Sequence, residues 1–261
     1  MDERLPSSLE QRKESDGRSG WVETWDQWFV IEGEQRGGYV RLELLPAQQR
    51  ARYWASLIGF GEPLITVLVD DLPFPSGRLE IRGPGIWTET TVLDPFVHLT
   101  TDLEAFGVAI EPATDVWSGA FGQRTAVGLE LDFDTGGPSG PSPRIGLDGY
   151  RLAGRMHGEI LLNEQKWQIE GVGVRDDWWG VPSTESSWRG WVSCDGQIVN
   201  SDQGHLSIDV EDILSTLPTG SVLGGIDVVG WAPALRDKTR YARALVTNER
   251  GAGWFEIEAP F

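Results

Sequence analysis

The stretch AVGLELDFD, residues 126–134, sets Leu129, Leu131 and Phe133 against Glu130, Asp132 and Asp134 in strict alternation. A period of two puts the apolar set on one face of an extended chain and the acids on the other, the pattern of a half-buried β-strand. The same period runs through GGYVRLELLP (37–46), with Tyr39, Arg41 and Glu43 opposite Val40, Leu42 and Leu44. Outward from these, LITVLVDDLPFP (64–75) is β-branched and stops at a proline turn, and RLEIRG (78–83) and GIWTETTV (85–92) flank a Gly-Pro-Gly turn. Beyond residue 148 the pattern resumes in YRLAGRMHGEILL, KWQIEGVGVRDDWWG, SWRGWVSCDGQIV, HLSIDVEDI, GGIDVVGWAPAL, RYARALVTNE and GAGWFEIEAP. Short strands recurring at intervals of about ten residues predict an all-β sandwich or barrel.

Two helices are expected within this pattern. PAQQRARYWASLIG (46–59) starts after a strand at a proline, is rich in Ala, Gln and Arg, and has Gly59 to cap it; VEDILSTL (210–217) is a shorter candidate. The segment DTGGPSGPSPRIGLDG (134–149) holds five Gly and three Pro, and reads as a domain boundary or a long hairpin loop. The expected organisation is a disordered tail at 1–19, a first domain at 20–135, a linker at 136–147 and a second domain at 148–261.

Composition narrows the function. Forty acidic residues against 22 basic give a net charge of −18, which argues against nucleic acid and anionic membrane surfaces as partners. No apolar run reaches the ~20 residues of a membrane helix. The polar N-terminus, MDERLPSSLEQRKESDG, lacks the apolar core of a secretory signal, and the single cysteine, Cys194, precludes an internal disulfide; both fit the cytoplasm. Thirteen tryptophans are far above the usual share and point to an aromatic-walled cavity or a Trp-rich β core.

The strongest local chemistry is Arg175-Asp176-Asp177-Trp178-Trp179-Gly180. On a strand, Arg175, Asp177 and Trp179 face one way and Asp176 and Trp178 the other. An acid beside a Trp on a concave face loses hydration, which raises its pKa and makes it a proton donor near neutrality. The plain structural alternative is an Arg–Asp pair with two Trp closing a barrel end. His157 and Glu159 share a strand face, able to pair with Arg175 or with aspartates across a hairpin, either as a proton-shuttling cluster or as a satisfied polar layer. Trp21, Trp25, Trp28 and Phe29 with Glu23 form an aromatic entry segment or core packing. Glu130, Asp132 and Asp134 read as a solvated face. No HExxH spacing, phosphate-binding glycine loop or serine elbow occurs, so neither a metal nor any other cofactor is expected.

The order of these motifs resembles a lipocalin-like two-domain family that includes the carotenoid 1,2-hydratases (hydroxyneurosporene synthases), AttH-like and Svf1-like proteins, and the lipocalin-like Diels–Alderases. The matching stretches are GGYVRLELLP, the Tyr53-Trp54 helix, LEIRGPGIW, DPFVHLTTDLEAFGVAI, GLELDF, GRMHGEILL, GVGVRDDWWG, WRGW with the following DG, and GAGWFEIEAP, from about 21 to 261. The family pattern in the second domain is R-D-H-x-W-G; this chain keeps Arg175, Asp176, Trp179 and Gly180 but has Asp177 where His is usual. The resemblance implies two consecutive antiparallel calycin/lipocalin-like barrels with one or two short helices. It also implies a cofactor-independent cyclase, of the Diels–Alderase or acid-assisted cyclase/hydratase kind, that folds a large apolar polyene, polyketide or isoprenoid in natural-product biosynthesis. The other expectation is a non-catalytic binder of an apolar lipid or isoprenoid. The candidate catalytic residues are Asp177, Asp176, His157 and Glu159; the candidate substrate-binding residues are Trp179, Trp178, Arg175, Tyr53, Trp54, Trp87 and Glu104.

Overall fold

The computed structural model describes residues 6–59, 61–118, 122–141, 146–183, 185, 187–194, 197–200, 204–205, 222–223, 226–236 and 239–260. The first sheet is built from β1 (Val22–Ile31), β2 (Arg36–Leu45), β3 (Arg50–Gly59), β4 (Leu64–Pro73), β5 (Leu79–Gly83), β6 (Ile86–Asp94), β7 (His98–Ile110), β8 (Gln123–Pro141), β9 (Asp148–Leu162) and β10 (Gln165–Gly180). Their order is β4-β3-β2-β1-β10-β9-β8-β7-β6-β5, and a further pairing of β4 with β7, from Leu64↔Ile110 to Thr66↔Val108, closes the sheet into a barrel. The closing pairs cover one end of β4, while β5 remains the outer strand of the order.

The second sheet takes β11 (Ser187–Cys194), β12 (Gln197–Asn200), β13 (Gly204–His205), β14 (Val222–Leu223), β15 (Ile226–Arg236), β16 (Thr239–Asn248) and β17 (Gly251–Pro260). It runs β12-β11-β17-β16-β15-β14, with β13 on β11. The architecture is all-β, antiparallel and lipocalin-like.

Burial follows the period of two and explains why the two sheets stay together. All ten residues of β1 are buried. Trp25, Phe29 and Ile31 point into the barrel with Val40, Leu42 and Leu44 of β2. Trp28 and Val30 point outward, with Tyr39, Trp54 and Val174, onto Trp191, Tyr241, Leu245 and Trp254 of the second sheet. One layer is therefore the barrel interior and the other the junction between barrel and sheet. Trp254 Nε1–H crosses the junction to donate to Phe29 O at 2.8 Å.

The junction also carries charge. Asp26 accepts from Arg41 (2.8 Å) on β2 and from Arg243 (3.0 Å) on β16; Glu256 on β17 accepts from Arg41 (2.6 Å), Arg189 (2.7 Å) and Arg243 (2.7 Å). The Arg243 guanidinium stacks 4.0 Å from the Trp28 ring. Burial works against the Asp26 carboxylate, but Arg243 and Arg41 hold its pKa well below the usual range.

Three sequence expectations change. The 46–59 helix is a 3₁₀ turn at Pro46–Gln48, a left-handed Gln49 (φ 52°), and then strand β3. Its alternation decides the matter: Ala51, Tyr53, Ala55 and Leu57 line the barrel while Trp54 and Ile58 meet the second sheet. The Gly/Pro-rich segment extends β8 to Pro141, and β9 and β10 remain in the first sheet, so the change of sheet falls after Gly180 and not at 136–147. Within the segment expected to be a disordered tail, Leu9, Glu10, Arg12 and Lys13 contact the barrel, and Glu10 is buried. The helix expected at 210–217 falls outside the described residues.

Candidate functional site

One end of the barrel interior is polar. The antiparallel register of β1 on β10 pairs Glu23 with Trp179, Trp25 with Asp177 and Gln27 with Arg175, and β9 sets Tyr150 opposite Asp177. Because side chains two apart share a face, all of these point inward. The 3₁₀ turn Ser7–Glu10 places Glu10 over the same spot, with Leu9 packed on the core.

The contacts form a closed set. Tyr150 Oη donates to Asp177 Oδ2 at 2.7 Å and lies 3.0 Å from Glu10 Oε1. Arg175 Nη2 donates to Tyr150 Oη (2.9 Å), forms an ion pair with Glu10 Oε2 (2.7 Å), and makes a very short contact with Asp177 Oδ2. The Arg175 guanidinium lies 5.1 Å from the Trp25 ring centre. Glu23 Oε1 accepts from the Lys13 backbone N–H and from Trp25 Nε1–H, each at 3.1 Å, while Lys13 Nζ sits 4.6 Å over Trp179. Glu23, Asp177, Tyr150 and Arg175 are each less than 5% exposed.

Electrostatics give these groups different tasks. Burial pushes the Glu23 carboxyl up to about 7, and its two hydrogen bonds only temper the rise. Burial likewise raises Asp177, opposed by Arg175 and reinforced by Glu10. Tyr150 is raised by burial and by Asp177, so it keeps its proton and donates. Burial disfavours the Arg175 cation, yet Asp177, Tyr150 and Glu10 outweigh it and raise its pKa. Among the described residues, Glu10 Oε2, Glu23 Oε2, Gln27 Oε1, Tyr53 Oη, Arg175 Nε and Asp177 Oδ1 are buried in this interior with no hydrogen-bond partner. Each such atom costs about 1–3 kcal/mol unless something fills the need. A carboxyl that shares its proton near pH 7, a fixed phenol donor and aromatic faces together can protonate, orient and shield a reacting apolar molecule.

The structure divides the residues singled out from sequence among three places. Arg175, Asp177 and Trp179 share the barrel end, as the strand parity predicts, and Tyr53 lies in the same interior. Asp176 and Trp178 face the other way. Asp176 accepts from Arg151 at 2.9 Å and from Arg189, while Trp178 packs on Val22 and Leu45. Trp54 is in the junction, 5.3 Å from Tyr241.

His157 and Glu159 lie on the outer wall, so they cannot pair with Arg175; His157 Nδ1 is 3.7 Å from Asp134 and Glu159 pairs with Lys166. Glu159 joins Trp87, Glu104, Phe106 and Leu161 around an open outer groove of about 830 Å³. Sequence reading placed Glu23 in the aromatic entry segment without giving it acid chemistry, and it passed over Glu10 and Tyr150. The usable signal for Glu23 was its parity with Trp25 at the start of a strand that turns out to be wholly buried; Glu10 carries no comparable signal, because its partners are 140 and more residues away.

The profile of a family described as a domain of unknown function (DUF7064) matches residues 7–196, and the chain belongs to that family. No curated protein matches it significantly. Among solved structures it is similar to CghA, at 12% identity and a TM-score of 0.51 over 93% of this chain and 88% of that one. It is also similar to CghA with Sch210972, at 11% identity and a TM-score of 0.50 over 93% and 89%. A Nitrosomonas europaea protein solved as an AttH candidate gives 11% identity and a TM-score of 0.48 over 92% and 93%.

Proposed function

We propose that this member of the DUF7064 family is a cofactor-independent cyclase or hydratase that holds a large, apolar, unsaturated molecule at the polar end of its barrel. The polyene, polyketide or isoprenoid class fits, because apolar walls bury most of such a ligand while a few polar groups orient it. The observation that carries the reading is the placement of Glu23, buried opposite Trp179 with Oε1 on Trp25 Nε1–H and Asp177 two residues along the facing strand; burial there raises its carboxyl to about 7.

The chemistry assigns one role to each group. Glu23 delivers its proton to a π-bond or carbonyl oxygen of the bound chain. Trp25 and Trp179, on whose rings Arg175 and Lys13 rest, wall the reacting end with aromatic surface. Tyr150, held by Arg175, turns its single O–H from Asp177 to the bound chain and so holds the reacting conformer. Ring closure followed by loss of a proton to the Glu23 carboxylate returns the acid and gives an isomer of the substrate. Capture of the cation by water, with loss of a proton to the same carboxylate, gives the hydrated product. Asp177, which accepts from Tyr150 and pairs with Arg175, is assigned the orienting role.

The test is incubation with linear polyene, isoprenoid and polyketide precursors followed by mass analysis. A product of equal mass and new retention marks cyclisation, and a gain of one water marks hydration; either disappears with Glu23→Gln. Tryptophan fluorescence and thermal shift report binding in parallel. Precursors bound but recovered unchanged across the panel would make the protein a carrier and end the enzymatic reading.

A further inference from the structure

The barrel end sets two carboxylates against one guanidinium, and only one of them belongs to the barrel. Asp177 is on the same strand as Arg175. Glu10 arrives from the segment 6–13, whose backbone bonds close turns within itself, Leu9 N–H to Pro6 O and Gln11 N–H to Ser8 O. That segment lies on the barrel without joining the sheet, and we refer to it as the strap. It is held by side chains: Leu9 on the core, Arg12 donating to Pro75 O at 2.6 Å with its guanidinium 4.5 Å over Phe74, and Lys13 over Trp179.

Arg175 Nη2 serves Tyr150, Glu10 and Asp177 together, while among the described residues its Nε is buried with no hydrogen-bond partner. A guanidinium binds a carboxylate best through two parallel N–H bonds, and Glu10, reaching in from the strap, engages a single nitrogen. We infer that Arg175 and Tyr150 form the seat for a carboxylate head group on the apolar substrate, and that Glu10 occupies this seat until the substrate displaces the strap.

The inference rests on reading the barrel end as the reactive site and adds the substrate's acidic head to it. The exchange is balanced. One carboxylate leaves Arg175 for water and another replaces it, so the seat's charge is unchanged and Glu10 regains its hydration. The incoming group gains the second N–H bond that Glu10 does not make. The apolar tail takes the surface that Leu9 covers.

The probe is cis-parinaric acid, a fluorescent polyene carboxylate, compared with its methyl ester on the full chain. Glu10→Gln empties the seat of competing charge, so the acid should bind about tenfold or more tighter than to the wild type, the weight of one charge-assisted pair. The ester should change by less than about twofold. In the unaltered protein, saturating acid should speed tryptic cleavage after Arg12 and Lys13, and the ester should not; this arm needs no variant to fold. Equal gains for acid and ester, or a strap that stays protected with the acid bound, would overturn the head-group assignment while leaving an apolar barrel site standing. Failure of both probes to bind either protein would remove the reactive-barrel reading together with the seat.

Discussion

Replacing Glu23 by Gln should make the protein more stable at alkaline pH than the wild type. Glu23 is buried against Lys13 and Trp25, and its carboxyl is raised from 4.5 to about 7. A carboxyl whose native pKa exceeds its unfolded one holds its proton preferentially in the fold. The stability tied to that proton is complete below the unfolded value and is lost as pH rises through the folded one.

A shift of this size corresponds to about 3 kcal/mol over the whole titration, of which about 2.5 falls between roughly pH 5 and pH 8. Gln is neutral throughout, and its amide oxygen can keep both hydrogen bonds that Oε1 accepts. Urea unfolding followed by tryptophan fluorescence should therefore show a wild type that weakens by about 2–3 kcal/mol from pH 5 to pH 8 and a variant whose curve is flatter by that amount. In melting temperature the alkaline gain is about 5–10 °C for a chain of this length. Asp177 shifts in the same direction, and it is present in both proteins, so the difference between them isolates Glu23. Parallel loss of stability in wild type and variant would refute the assignment of the proton to Glu23.

Three further outcomes follow from the same contacts. On any turnover assay, Glu23→Gln should cost about 10²–10⁴ in rate, the usual weight of a general acid, whereas Asp177→Asn, which can still accept from Tyr150, should cost about tenfold or less; the reverse order would make Asp177 the acid. Arg243→Met leaves Asp26 and Glu256 short of a buried partner and should destabilise by about 3–5 kcal/mol in urea unfolding, with little dependence on salt. Gly158 has φ +139°, and a Cβ there would lie 2.0 Å from Glu130 O, so Gly158→Ala should lose about 2 kcal/mol or more; a neutral result would mean that β8 and β9 can part at that point.

The sequence was most informative where a strand has two distinguishable faces. The alternation of Tyr39 and Arg41 against Val40, Leu42 and Leu44 is real, and so is the split of Arg175, Asp177 and Trp179 from Asp176 and Trp178. What alternation does not reveal is that the polar face is buried as well: Arg41 and Asp176 meet a second sheet, not water. The 50–59 strand was masked by helix-forming Ala and Arg, although its true period was already present in Ala51, Tyr53, Ala55 and Leu57. Propensity is a weak prior beside the burial a barrel offers. Half of the candidate site, Asp177 with Arg175, could be read from one hexapeptide. The rest required knowing which distant strands and which strap close over it, and Glu10 touches Tyr150 across 140 positions.

The charged junction has a consequence for how the chain reaches this state during its synthesis. Asp26 and Arg41 are made early and pair with each other, yet Arg243 and Glu256, which complete the buried network around that pair, follow more than two hundred residues later. Until those arrive, the outer face of β1 and β2 holds an ion pair with its remaining hydrogen-bonding capacity unmet, which favours keeping that wall hydrated. Pairings so remote in sequence are slow to find. The last strands therefore act as a latch: their arrival allows the early wall to dehydrate, and a chain interrupted before β16 would retain a polar flank and be recognisable to quality control as unfinished.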